Sequence, residues 1–547
     1  MKILIGSAWP YANGSLHIGH LAALLPADVI ARYYRAKGDD VYFVSGSDCH
    51  GTPVAIRAKQ ENKTPKDISD YYHKEFCRCF EKLGFSYDRY GKTSSGEHKS
   101  FVRDFHKAMY EGGYIYEKEA PQAYCVKCDT ALADRFVIGK CPVCGEDARG
   151  DQCESCAAVL DPESLIGPVC LICGSTPVSR TEKHLFIALS KLEKELKDYL
   201  DAHPHWRRNA IAFTKKYIDE GLRDRAITRS LDWGIDVPKE GYGDKKIYIW
   251  AENVLGYLSM SKSIADERGE DYSGLWGKDS RHYYVHGKDN IPFHSIILPA
   301  LMLANGGKWK LPDDIISSEY LTLEGRKIST SRNWAIWVKD IAERYAPDSI
   351  RYFLITNGPE KRDADFTWRE FIYSHNGELL GAYGNFVNRT LAFIYKYFDG
   401  VIPAGDNDGE IDIKIEKVYV DTGKLIEKGE LKKALDNIFE FVRFGNKYFD
   451  TKRPWETRKT DIKTCGDTLF NCVQIIANLS VLLGPFLPFS SDTVRGWLDI
   501  DSRWRPVGVK SGRAIPEPGI LFERIDKSAI DEEISRLCGE SGEQQSL

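Results

Sequence analysis

Short β-branched runs alternate with helical stretches over the first 115 residues. Ile3–Ser7 and Val41–Ser45 read as strands, and Ala27–Lys37 and Lys66–Lys82 as helices. That order predicts an α/β fold in which crossover helices cover a parallel sheet. Strand-like runs return at Lys246–Trp250 and His282–His286, so residues 116–230 read as an insertion splitting one Rossmann-like domain. From about residue 370 the period lengthens. Leu379, Leu380, Tyr383, Phe386, Val387, Leu391 and Ile394 recur at three- and four-residue steps, predicting an all-α domain with a buried helix face. The segment 399–412 reads as a polar, glycine-rich loop, and the tail beyond about 530 as partly mobile. The expected units are 1–115 and 231–315 for the sheet domain, 116–230 for the insertion, 316–369 for a connecting region, 370–505 for the helical domain and 506–547 for an extension.

Composition narrows the class. A chain of 547 residues with 42% hydrophobic and 28% charged residues is an ordinary multidomain globular protein. The formal charge of −5 provides no global basic field, so a polyanionic partner would have to meet local patches. The most apolar window, Val473–Phe489, is interrupted by Gln474, Asn478 and Ser480 and stopped by Pro485 and Pro488, which predicts a buried helix and no membrane span. The short apolar start before Trp9-Pro10 reads as a first strand, not an export signal, and a cytoplasmic location is expected.

Cysteine usage points to metal. Eight of the 14 cysteines form four C-x-x-C pairs, Cys125/Cys128, Cys141/Cys144, Cys153/Cys156 and Cys170/Cys173, with 12, 8 and 13 residues between them. Two pairs supply the four thiolates of a closed structural zinc site, and the spacing alone leaves three ways of combining four pairs.

The chemistry begins after the first strand. Trp9-Pro10-Tyr11-Ala12-Asn13-Gly14 is a tight loop, and the following helix presents free N–H groups and a positive dipole end suited to phosphate. His17 and His20 add donors on the same side, and Gly19 between them admits a flat base.

His17-Ile18-Gly19-His20 resembles the HIGH signature of class I aminoacyl-tRNA synthetases, and Pro10-Tyr11-Ala12-Asn13-Gly14 resembles their methionyl branch. Isoleucyl enzymes share part of that string but are far longer. Gly46-Ser47-Asp48-Cys49-His50-Gly51-Thr52-Pro53, Arg229–Ile235, Gly287-Lys288-Asp289 with Phe293-His294, and Glu324–Arg332 resemble further family motifs in order, to about residue 500. The resemblance implies methionine activation with ATP and Mg²⁺, then transfer to the 3′ end of a methionine tRNA. His17, His20, Lys327, Thr330 and Arg332 would be catalytic, and Asn13, Gly19, Gly287, Asp289, Lys327 and Thr330 would contact ATP. Asp48 would hold the substrate ammonium, with Trp9, Tyr11, Trp250, Asn253, Tyr257, Asn290 and His294 around methionine; aromatic walls suit a thioether. Asn385, Arg389 and Trp455 would read the anticodon, by hydrogen bonds and by stacking. The same likeness favours a nested metal arrangement, 141/144/153/156 around one Zn²⁺ and 125/128/170/173 around the other.

Three departures stand out. Trp9 occupies a position more often Leu. Ala251-Glu252-Asn253-Val254 replaces the common Asp-Ala-Pro, leaving Glu252 to carry charge at the pocket rim. Thr330 stands where the loop's second Lys is expected, while Arg326, Lys327 and Arg332 keep it basic. A nucleotidyltransferase that never meets tRNA, or a non-catalytic tRNA-binding paralogue, are the alternatives. The helical domain and the basic stretch Arg207–Arg229 argue against the first, and intact His17, His20 and Asp48 against the second. No appended dimerisation domain is evident, so a monomer is expected.

Overall fold

The computed structural model describes residues 1–541 except 133, 151, 152, 154, 157, 159 and 331. Ser331 of the basic loop and residues 542–547 of the tail therefore lie outside the described residues.

Five parallel strands form the central sheet: β1 (Lys2–Ser7), β2 (Asp40–Ser47), β3 (Arg89–Lys92), β4 (Ser280–Gly287) and β5 (Asp314–Ser318). Their order is β5-β4-β1-β2-β3. Strands β1, β2 and β4 are buried along most of their length, as expected of a parallel sheet covered on both faces. Side chains alternate between two cores. Ile3, Ile5, Val41, Phe43, Tyr283 and Val285 face the side of helix α1 (Ile18–Lys37) and the helical domain. Leu4, Tyr42, Val44 and Tyr284 face the other side, together with Trp9, Trp250 and Tyr257. The connections from β1 lead to β2 on one side while β4 joins from the other, so a cleft opens at the carboxyl ends of β1 and β4.

Helix α1 starts well before Ala27 and runs through Pro26, so the proline does not mark its beginning. The run Lys246–Trp250 is strand only over Lys245–Ile247. A 3₁₀ turn over Ile249–Ala251 then swings Trp250 toward the cleft, because Ala251 N–H closes on Tyr248 C=O at 2.9 Å. The insertion is a long antiparallel hairpin, Ile115–Cys125 against Val178–Ile187, with the cysteine pairs at its far end. It is anchored by Arg229, which grips Asp134 with Nε at 3.2 Å and Nη2 at 2.8 Å and stacks over Tyr248.

The all-α region contains helices Asn385–Tyr397, Gly409–Glu427, Leu431–Lys452 and Ile462–Leu482. The loop expected over 399–412 is shorter, since Asp408 caps the Gly409 helix by accepting from Glu410 N–H. Ile462–Leu482 is long and apolar enough to cross a bilayer, but nearly all of its apolar stretch is buried within the bundle. Arg351, fully buried, ties the units together: it meets Asp28 of α1 at 2.6 Å and the carbonyls of Leu83, Pro485 and Phe486. Most of the tail expected to be mobile is a docked helix, Ser528–Ser541, in which buried Glu533 holds Arg344 at 2.7 and 3.0 Å.

Candidate active site

The loop after β1 is stitched to the loop after β2. Ala12 N–H donates to Asp48 C=O at 2.8 Å, and Asp48 N–H donates to Pro10 C=O at 2.9 Å. This places Asn13, the two histidines and Asp48 along the carboxyl edge of the sheet. His17 precedes α1 with extended backbone, and its N–H donates to His20 Nδ1 at 3.1 Å. The accepting Nδ1 leaves the His20 proton on Nε2. The two rings lie 3.8 Å apart. Burial pushes His20 down to about 4, and burial with the His20 neighbour holds His17 well below the usual range. Both are neutral hydrogen-bonding groups at pH 7 at the positive end of α1. A Cβ on Gly19 would lie 3.1 Å from the His17 ring and 3.4 Å from Ile328 Cδ1, so only glycine leaves that face open.

Asp48 is completely buried. Its Oδ2 accepts from Asn253 Nδ2 at 2.8 Å, and its Oδ1 accepts from the His50 backbone N–H at 3.3 Å. Burial, with Glu252 nearby, raises its pKa to about 7. Such a carboxylate is short of a cation. Glu252 does not carry charge at the rim, as its sequence position suggested. It is fully buried behind Asp48, accepting from His50 Nδ1 at 2.9 Å, with His98 Nε2 at 3.5 Å. Sequence reading missed His98 altogether, because it arrives from a different helix, Gly96–Glu111.

Beside this carboxylate lies a cleft of about 790 Å³, reaching from the sheet edge to the insertion. Trp9, Tyr11, Trp250, Asn253, Tyr257, Asn290 and His294 all line it, whereas Asp48, the eighth of the expected methionine set, is not among the lining residues and meets the wall through Asn253. His294 Nδ1 donates to Asn290 C=O at 2.8 Å, which leaves Nε2 to accept from the Tyr257 hydroxyl at 2.8 Å. His286 stacks on His294 at 4.2 Å. Trp9 is seated by two glycines: a Cβ on either Gly46 or Gly256 would fall 2.4 Å from its ring. The walls at the sheet edge are thus largely aromatic, whereas toward the insertion charged side chains such as Asp134, Asp161, Glu163, Arg225 and Arg229 line the cleft.

Leu321–Leu323 and Arg326–Lys327 form a tight hairpin, turned by Glu324 at φ 47° and Gly325 at φ 72°. Lys327, Thr330 and Arg332 are exposed, with Arg332 Nε 3.3 Å from Ser329 Oγ. The following segment is pinned to the HIGH-like loop, since Ile18 N–H donates to Ile336 C=O at 2.9 Å and Val338 N–H to Leu16 C=O at 2.8 Å. Across the cleft, after β4 and Gly287, Asp289 accepts from the Tyr320 hydroxyl, while Lys288 pairs with Glu319 at 2.8 Å.

The cysteines gather into two sets, Cys125/Cys128/Cys170/Cys173 and Cys141/Cys144/Cys153/Cys156, each with sulfurs within 4.8 Å of one another. Cys125 and Cys173 sulfurs are 3.4 Å apart, Cys144 and Cys153 3.5 Å, and Cys141 and Cys156 3.8 Å. Tetrahedral zinc with four thiolates needs about 3.8 Å between sulfurs, so each set can hold the ion. Gly145 and Gly174 turn at φ 78° and 71°, donating to Cys141 and Cys170 carbonyls at 2.9 and 2.8 Å. The nested arrangement is therefore the one present.

In the helical domain Asn385 is exposed, whereas Arg389 is engaged by Asp450 at 2.7 Å and Asn446 at 3.0 Å and lies over the Phe449 ring. Trp455, 43% exposed, leans on the same Phe449.

A split parallel sheet with paired histidines at the switch point, facing a basic loop, has the architecture of a class I aminoacyl-tRNA synthetase. Residues 3–391 match the family described as tRNA synthetases class I (M), and 402–542 match the anticodon binding domain of methionyl tRNA ligase. Among curated relatives, methionine–tRNA ligase 1 of Alkaliphilus oremlandii is 54% identical over 98% of this chain and 100% of its own length. The methionine–tRNA ligase of Bacillus cereus is 54% identical over 98% and 99%. A Mycobacterium tuberculosis methionyl-tRNA synthetase structure, solved with methionyl-adenylate, shares the fold with a TM-score of 0.81 at 24% identity, covering 96% of this chain and 100% of that one. The chain belongs to the methionine–tRNA ligase family.

Proposed function

We propose that this protein activates methionine with ATP to methionyl-adenylate and pyrophosphate, then transfers the methionyl group to the 3′ end of its tRNA. The observation that carries the reading is the buried Asp48 beside an aromatic cleft, one loop away from His17 and His20. Asp48 holds the substrate ammonium, leaving the methionine carboxylate free to attack the α-phosphate. Trp9, Tyr11, Trp250, Asn253, Tyr257, Asn290 and His294 enclose the thioether chain. ATP lies along Asn13, Gly19, Gly287 and Asp289, accompanied by Mg²⁺, which supplies charge neutralisation on its phosphates. His17 and His20, neutral donors at the helix end, stabilise charge spreading over the phosphate oxygens, and Lys327 with Arg332 and Thr330 meets the departing pyrophosphate. No protein nucleophile is required; positioning and charge do the chemistry.

Zn²⁺ at the two four-cysteine sets would close the far end of the insertion and fix its shape, with no open coordination position. The Asn385, Arg389 and Trp455 region reads the anticodon. A cytoplasmic monomer is the form we infer. Charging of methionine tRNA by Arg389→Ala and Trp455→Ala tests the tRNA part. Each should lose roughly 5- to 150-fold in aminoacylation while tRNA-independent pyrophosphate exchange stays unchanged. Equal loss in both assays would refute an anticodon role for these residues.

A further inference from the structure

Behind the ammonium site lies a buried cluster with no part in the reaction as described. Glu252 is fully enclosed and accepts from His50 Nδ1 at 2.9 and 3.2 Å. His98 Nε2 approaches its other oxygen at 3.5 Å, and His98 Nδ1 is fixed by Ser259 Oγ at 2.9 Å. The geometry of the chain on either side of the His50–Glu252 bond is informative. The backbone N–H of His50 is one donor to Asp48, at Oδ1, and the side chain of Asn253, next to Glu252, is the other, at Oδ2. Two segments more than 200 residues apart thus each present one donor to the same carboxylate, and the His50–Glu252 bond closes the ring between them. His98 also lies against Trp9, with ring centroids 6.1 Å apart, which links the cluster to the wall of the methionine cavity.

We propose that Glu252 is a positioning residue: through His50, and with His98 alongside, it clamps Asn253 and the His50 backbone onto Asp48 and so sets the aim of the ammonium-binding carboxylate. This rests on the reading of Asp48 as the methionine ammonium site. The clamp acts on binding of the amino acid, not on ATP, because the contacts of His50 and Glu252 run to Asp48, Trp233 and His98. A buried carboxylate held by neutral imidazoles also repels a second ionised carboxylate, so an arriving cation strengthens the charged form of Asp48. Burial raises Glu252 as well as Asp48, in keeping with two acids that compete for one incoming charge.

The test is steady-state methionine-dependent pyrophosphate exchange by wild type, Glu252→Gln, Glu252→Ala, His50→Ala and the double alanine variant, with KM for methionine and ATP measured separately. A glutamine oxygen can still accept from His50, so Glu252→Gln should stay within about threefold of wild type in KM for methionine. Glu252→Ala should raise that KM by about 10- to 100-fold, the worth of a hydrogen bond to a charged group, with KM for ATP and kcat nearly unchanged. His50→Ala should do the same, and the double variant should be no worse than either single one. If Glu252→Ala is not recovered folded, His50→Ala alone carries the comparison. An unchanged KM for methionine in the alanine variants overturns the proposal, as does a parallel fall in kcat and rise in KM for ATP. Wild type that shows no methionine-dependent exchange would instead sink the reading on which the clamp rests.

Discussion

Asn253 Nδ2 lies 2.8 Å from Asp48 Oδ2, so a residue of the cleft wall caps the buried carboxylate. The cap is neutral. It satisfies one oxygen without cancelling the charge, and burial beside Glu252 leaves Asp48 with a pKa near 7.

A pH dependence follows. The ammonium of methionine stays protonated below about pH 8, whereas Asp48 must lose its proton to receive it. The groups facing Asp48 are Glu252, Asn253 and His50, and His50, driven down to about 3 by burial and by Lys99, stays neutral throughout. Methionine affinity should therefore be full above pH 7 and fall as pH drops through 7, approaching roughly tenfold per unit well below it. Calorimetric titration with methionine between about pH 5.5 and 8.5 checks this. A flat profile would contradict the assignment of Asp48.

The seat of Trp9 makes a second prediction. The three atoms nearest a Cβ at Gly256 all belong to the Trp9 ring, the closest at 2.4 Å, whereas one at Gly46 also meets the Gly91 carbonyl oxygen at 2.6 Å. Both alanine substitutions should cost about 1–3 kcal/mol and raise KM for methionine. Trp9→Leu should relieve Gly256→Ala but not Gly46→Ala, because a side chain can be shortened and a strand backbone cannot move aside. Thermal melts of the two double variants distinguish the cases.

In the basic loop, Lys327→Ala should slow adenylate formation by about 100-fold, since a cation beside developing negative charge is worth about 3 kcal/mol in a water-poor site. Thr330→Lys, which adds a cation to the loop, should preserve or raise the rate. Single-turnover measurements at saturating ATP, with Arg332→Ala alongside, decide. If neither Lys327→Ala nor Arg332→Ala slows the step, this loop is not the pyrophosphate clamp.

Two metal ions should be found per chain by elemental analysis. Chelation should unfold the end of the insertion while the parallel sheet persists, seen as loss of proteolytic resistance between Cys125 and Cys173 only. One ion per chain would mean that one cysteine set stays empty.

Much of this site is written locally in the chain. The paired histidines, Asp48 after the second strand and the cysteine pairs each sit within a few residues of the turn that gives them their role. The pairing of the cysteines was open from spacing and is settled by the hairpin Ile115–Cys125 with Val178–Ile187, which brings the first and last pairs side by side. The Glu252, His50 and His98 cluster was not legible, because its members come from three distant segments and only burial reveals their purpose. The helix Ser528–Ser541 was missed for a related reason. Its polar composition reads as tail until Glu533 meets Arg344 and Tyr345.

The most direct measurement is ATP–pyrophosphate exchange with each of the twenty amino acids in turn. Methionine should drive exchange, with kcat/KM about 100-fold or more above isoleucine, leucine or cysteine, as an aromatic cleft shaped for an unbranched thioether requires. Exchange with any other amino acid at a rate matching methionine, or none with methionine, would contradict the assignment.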